Sequence, residues 1–135
     1  MTTLVDTNIL IRALDPDDQM HAWCVEKLNE CKLNGPVAIS DIVYCEFSVG
    51  MPSQEATDNA ISALAIERMT MSDAALFLGG RAFKRYKDEH QGPKLNVLPD
   101  FLIGALAQDQ NTPLLTCNPK DFIGYFPEVN VIAPT

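Results

Sequence analysis

The chain has 135 residues, 47% of them hydrophobic and 21% charged, with a net charge of −8. That length suits one globular domain with a sizeable core, so residues 1–135 are expected to fold as one unit. No apolar run approaches the roughly 20 residues of a membrane span, the N-terminus lacks the basic and apolar regions of a signal peptide, and the acidic balance argues against a general polyanion binder. A cytoplasmic protein is expected. Thr2 to Val5 reads as a short strand, Thr7 to Leu14 as a helix stopped at Asp15-Pro16-Asp17-Asp18, and His21 to Leu33 as a helix closed by Asn34-Gly35-Pro36. Val37 to Ile39 is a strand, and Ser40 then caps a helix to about Gly50. Ser53 caps the next helix, with Ala60, Ile61, Leu64 and Ala65 as its apolar stripe. Glu67 to Met71 reads as a strand, and Ser72 caps a long helix towards His90. Pro99 and Asp100 open a helix through Gln110; Leu114 to Thr116 and Val129 to Ile132 are the last strands. Strands alternating with helices predict an α/β/α sandwich around a mostly parallel sheet of about five strands.

The four cysteines, Cys24, Cys31, Cys45 and Cys117, show no C-x-x-C spacing. They read as buried thiols rather than a zinc cage. Half of the ten basic residues, namely Arg81, Lys84, Arg85, Lys87 and Lys94, fall within fourteen positions. This stretch is either a solvated helix face or a place where a phosphate backbone docks.

In an open parallel sheet, sites form beyond the carboxyl ends of the strands. Two predicted strands end there in polar residues: Asp6-Thr7-Asn8, and Thr116-Cys117-Asn118 with Asp121 close behind. On the Ser40 helix, Glu46 shares a side with Ile42, Val43, Phe47 and Gly50. A carboxylate on a core-facing stripe is costly unless it is paired or binds a metal. Asp100 leads a helix that is apolar nearly all round, where it would either cap amide donors or join a site. Asp6, Glu46, Asp100 and Asp121 are thus four acids that four separate elements can bring together. Hard oxygen donors without convergent Cys or His suit Mg²⁺ or Mn²⁺, and such a set serves metal-assisted phosphodiester hydrolysis.

Three segments, Leu4-Val5-Asp6-Thr7-Asn8-Ile9-Leu10, Ile39-Ser40-Asp41-Ile42-Val43-Tyr44-Cys45-Glu46-Phe47 and Leu98-Pro99-Asp100-Phe101-Leu102-Ile103-Gly104-Ala105-Leu106-Ala107, resemble the signature blocks of PIN domains. Leu114 to Phe122 resembles the fourth block. Their order and spacing are most similar to the VapC-type toxins of toxin–antitoxin pairs. The resemblance implies that Asp6, Glu46 and Asp100 hold Mg²⁺ or Mn²⁺ and that Thr116 orients the site. Asn118 stands where many relatives carry Asp, and Asp121 follows one turn later, so either residue can complete the cluster. A metal-dependent endoribonuclease, a homodimer and a cognate antitoxin whose tail blocks the site are also implied; the acid cluster and the net charge of −8 predict that this tail is a basic C-terminal segment. That segment would lie between the Ser40 and Ser53 helices, over Phe47, Val49 and Met51. The same acids would serve a DNA-processing nuclease or a phosphatase, and a degenerate domain would only bind.

Other patterns carry less. Asp15, Asp17, Gln19 and Glu26 have calcium-loop spacing, but Met20 stands where glycine is needed. Asp6-Thr7-Asn8 resembles the start of haloacid-dehalogenase-like phosphatases, with Asn8 replacing their second Asp. Neither a nucleophile elbow nor a nucleotide-binding glycine loop occurs. His21 and His90 read as surface residues, and Trp23 and Phe83 as core.

Overall fold

The computed structural model describes residues 1–90 and 97–135. In chain order the elements are β1 (Thr3–Val5), α1 (Thr7–Ala13), α2 (His21–Asn34), β2 (Val37–Ser40), α3 (Asp41–Ser48), α4 (Gln54–Ala63), β3 (Glu67–Met69), α5 (Asp73–His90), α6 (Leu98–Gln110), β4 (Leu114–Leu115), α7 (Lys120–Tyr125) and β5 (Val131–Ile132). The three serine caps form where expected. Ser40, Ser53 and Ser72 accept from the amides of Val43, Ala56 and Ala75 at 3.1, 3.0 and 3.1 Å. Each satisfies one of the orphan donors of a helix start.

The five strands form one parallel sheet in the order β3-β2-β1-β4-β5. Leu4 pairs with Ala38 on one side and Leu114 on the other, and Val5 pairs with Leu115. Right-handed crossovers therefore place α1–α4 on one face and α5–α7 on the other, which is the expected three-layer sandwich. The chain reverses its direction of travel across the sheet between β1 and β4. A crevice opens at such a switch point, beyond the carboxyl ends of both strands. Strands β1, β2 and β4 are buried along their whole length, as sheets covered on both faces must be.

Leu4, Ile9, Leu10, Ile39, Ile103, Leu106, Leu114 and Leu115 are fully buried in the main core. A smaller cluster of Ala82, Tyr86, Phe101, Ala105 and Phe126 joins α5, α6 and α7. The apolar circumference of α6 explains its position, since Phe101 and Ile103 to Ala107 are all buried. Gly104 is required there, because a Cβ would meet Phe126 Cδ2 at 2.5 Å and Phe122 Cδ1 at 3.1 Å. Gly35, at φ +148°, ends α2 and has the Met1 backbone where a Cβ would stand.

Several local expectations are corrected, and others are met. Helix α7 gave no sequence signal, because it is only six residues long and no side chain caps it. Helix α3 ends two residues before Gly50, and Gly50 is exposed rather than beside Glu46. Ala65 leaves the α4 stripe, standing exposed at φ 54° just past the helix end. Only Cys24 and Cys31 are buried; Cys117 is half-buried and Cys45 exposed. The Cys24 and Cys117 sulfurs lie 3.7 Å apart, and burial first, then Cys117, pushes the Cys24 thiol up to about 12. Trp23 and Phe83 are half-buried against the cores, His21 touches the Arg12 carbonyl, and His90 is exposed. Asp15 and Asp18 accept from nearby backbone amides and form an ordinary turn. Lys94 lies outside the described residues. No described helix is long and apolar enough to cross a membrane.

Candidate active site

The first strand delivers Asp6 to the crevice. Its amide donates to the Leu115 carbonyl of β4 at 2.9 Å, which continues the sheet by one rung past Val5. Its side chain caps α1 by accepting from the Thr7 amide at 2.8 Å. The other carboxylate oxygen accepts from the Thr116 hydroxyl at 2.7 Å and from Asn8 Nδ2 at 3.2 Å. Asp6 is almost fully buried, and desolvation raises its pKa despite those three donors.

Thr116, fully buried just beyond β4, is the joint of the site. While its hydroxyl donates to Asp6, it accepts from the Asn118 amide at 3.0 Å. Asn8 ties the same two strand ends together, since its Oδ1 accepts from the Cys117 amide at 3.1 Å. Thr7 reaches the other way, donating its hydroxyl to Glu46 Oε1 at 2.8 Å. Glu46 is half-buried and held by that hydroxyl; no arginine pairs with it among the described residues. Thr7 and Asn8 were legible only as part of a polar strand end. The bridge made by Asn8 depends on β1 and β4 being neighbours, and that made by Thr7 on α3 lying beside the start of α1.

Asp100 stands in the first turn of α6, where Val97 is the cap and no side chain caps the helix. The capping role therefore does not account for it. Its carboxyl is pushed up to about 7, first by burial and then by the negative charges of Asp6, Glu46 and Asp121. Four acids from β1, α3, α6 and α7 thus share one electrostatic neighbourhood. Of the two residues left open for the fourth position, Asp121 is half-buried and adds its charge to that field, whereas the Asn118 side chain is exposed and only its backbone is anchored.

The donors are all oxygens, the set a hard divalent cation takes. Their spacing is open: among the described residues no three acids, histidines or cysteines stand close enough to hold an ion as they are. Asp6, Glu46 and Asp100 suit such an ion in donor type.

The cleft expected between α3 and α4 is also modified. Phe47 is 4% exposed and belongs to the core, while Val49 is 85% exposed and Met51 half-buried. Tyr44 spans the two helices, donating to Asp58 at 2.6 Å, and Arg68 stacks on its ring at 4.3 Å.

No curated protein matches the chain. A toxin–antitoxin complex from Klebsiella pneumoniae is similar at 28% identity and a TM-score of 0.64, over 98% of each chain. VapBC2 from Rickettsia felis, solved with a DNA fragment from its promoter, is 22% identical with a TM-score of 0.73 over the whole of both chains. VapC20 from Mycobacterium tuberculosis, described as a Sarcin-Ricin loop cleaving toxin, is 16% identical with a TM-score of 0.62, over 95% of this chain and 98% of its own. The last two likenesses are of fold. The family model of the PIN domain matches residues 3–124, a span that holds all four acids and the whole switch-point crevice, and the chain belongs to the PIN domain family.

Proposed function

We propose that the chain, acting over residues 1–135 as one nuclease domain, is a metal-dependent endoribonuclease and the toxin of a toxin–antitoxin pair in the cytoplasm. The observation that carries this reading is the state of Asp100. A half-buried carboxyl raised first by burial and then by the charges of three other carboxylates is a site in want of positive charge. Asp6, Glu46 and Asp100 would hold Mg²⁺ or Mn²⁺, with Asp121 as the outer acid and Asn118 at the rim. The bound ion supplies the charge that acidifies a water and balances the charge growing on the phosphate.

The chain's own residues prepare that site. Thr116 and Asn8 hold the Asp6 carboxylate in one orientation, leaving no freedom for it to swing away when an ion arrives. Thr7 does the same for Glu46 through Oε1, which leaves Oε2 without that restraint and free to meet a cation. Burial of Thr116 and Asp6 keeps the floor dry, and low dielectric strengthens every charge interaction made there.

The similarity to toxin–antitoxin complexes supports a cognate antitoxin as partner. Its basic C-terminal segment would place an Arg or Lys beside Asp6 and Asp100, and the toxin itself would be a homodimer. Incubating the protein with mixed RNA in Mg²⁺, Mn²⁺ or EDTA tests the reading. Cleavage that requires the metal is expected. Activity confined to DNA or phosphomonoesters, or silence with no metal binding, would overturn it.

A further inference from the structure

Helix α5 has two unlike faces. Ala75, Gly79, Ala82 and Tyr86 are buried on one. On the other, Phe77, Arg81 and Lys84 recur at i, i+4 and i+7, so they stand in one outward row. Phe77 is 64% exposed, which is unusual for so large an apolar ring. The Arg81 guanidinium lies 4.8 Å from its centroid, and Lys87 lies 5.8 Å from the ring of Phe83. Phe77, Gly80, Arg81 and Lys84 line one shallow hollow on this face. Asp73 and Asp88, at i−4 and i+11 from Phe77, close the same row at the two ends of the helix, and Lys87 stands exposed on its flank.

The row has a direction. Ser72, before α5, donates to Asp109 near the end of α6 at 3.2 Å, so the two helices run antiparallel. At the opposite end, Phe83 and Tyr86 meet the ring of Phe101 at 6.1 and 5.4 Å, and Phe101 directly follows Asp100. The cations of α5 therefore rise towards the acid cluster, over about 9 Å between Arg81 and Lys87. They are concentrated in a protein of net charge −8, and none of the three forms an ion pair among the described residues. Arg85, from the same run, is not in the row: its guanidinium donates to the Tyr125 carbonyl at 3.3 Å.

We propose that this outward face of α5 guides single-stranded RNA to the acid cluster, with Arg81 and Lys84 in the row and Lys87 on its flank meeting phosphates, and Phe77 as a platform for one base. The proposal deepens the nuclease reading and rests on it for the identity of the strand's destination. The chemistry favours RNA over protein. Cations interleaved with an exposed aromatic ring match a strand that alternates phosphates with bases, and such grooves bind without reading sequence. A basic antitoxin segment, which the acid cluster attracts, is repelled here.

The test is binding rather than cleavage. A labelled single-stranded RNA of mixed sequence is titrated with the full chain in EDTA, at several salt concentrations, by fluorescence anisotropy. In Arg81→Glu/Lys84→Glu, affinity at low salt should fall tenfold or more. The slope of log affinity against log salt should flatten by about 0.7 for each phosphate that the variant no longer neutralises. Phe77→Ala should weaken binding about tenfold while leaving that slope unchanged. Arg85→Gln should match the parent. Circular dichroism shows that each variant is folded. If the folded double variant keeps the parent's affinity and slope, or if the parent does not bind RNA, the proposal is overturned. A change of mass in sedimentation with RNA affinity unmoved would assign the face to a second copy and would also overturn it. A parent that binds RNA with this slope but never cuts it would sink the nuclease reading and leave the α5 face standing.

Discussion

Asp100 holds its proton to about pH 7 in the folded chain, whereas an unfolded chain releases it near pH 4. Between those values the native state binds more protons than the unfolded one, so this group's contribution to metal-free stability falls as pH rises from about 4 to 7. Asp6 is raised as well and acts in the same direction. Asp100→Asn removes the charge while the fold stays intact. Metal-free, it should melt at or above the parent at pH 8, with the difference shrinking towards pH 4 in a thermal-denaturation series. The upward melting shift given by Mg²⁺ or Mn²⁺ should shrink too, because it reports binding to the native state. RNA cleavage should drop at least a hundredfold, about 3 kcal/mol of barrier. A variant that melts well below the parent yet still cuts RNA would make Asp100 a structural residue. Thr116 is the opposite case, a neutral group on which the charged one depends. Thr116→Val removes a hydrogen-bond partner from both the Asp6 carboxylate and the Asn118 amide, and an abandoned buried polar group costs about 1–3 kcal/mol. Chemical denaturation should show that loss, and Thr116→Ser should recover most of it.

At the scale of elements, the joint between α6 and α7 depends on a missing side chain. Gly104→Ala drives a methyl into the rings of Phe126 and Phe122, which are fully buried with nowhere to move. Overpacking of that kind costs about 1–3 kcal/mol, more than the roughly 1 kcal/mol of helix propensity that alanine returns. Gly80→Ala, on the open face of α5 with nothing within 4 Å, should instead stabilise by up to about 1 kcal/mol. Opposite shifts in denaturant midpoint are the expected result, and equal shifts would contradict the packing described here. Because α7 also carries Asp121, Gly104→Ala should disturb the outer acid and lower cleavage more than its stability loss alone explains.

For the whole molecule, charge is divided between two regions. The crevice gathers four acids, and α5 carries four of the ten basic residues. An antitoxin tail that plugs the crevice with Arg or Lys should lose affinity steadily as salt is raised, and calorimetric titration across ionic strengths measures this. Affinity indifferent to salt would mean that the tail docks through apolar contact alone, over Val49 and Met51. The surface there is smaller than the sequence suggests, since Phe47 has turned into the core.

The features legible in the residues alone are local ones. Ser40, Ser53 and Ser72 mark helix starts because a cap bonds an amide three residues away, an interaction already present in a short peptide. The burial of α6 follows from its own apolar circumference, and the acids at Asp6, Glu46 and Asp100 stand out because their neighbours are apolar. Tertiary structure decided the rest. The strand order sets Thr116 against Asp6 across 110 positions of chain and lets Asn8 bridge them. Helix α7, too short and uncapped to persist alone, exists because Phe122 and Phe126 bury themselves against α6. Packing also chose between Phe47 and Val49 for the core, and between Arg81 and Arg85 for the outward row. The proton on Asp100 belongs to this second group, because desolvation and the field of three distant carboxylates arise only once four elements meet.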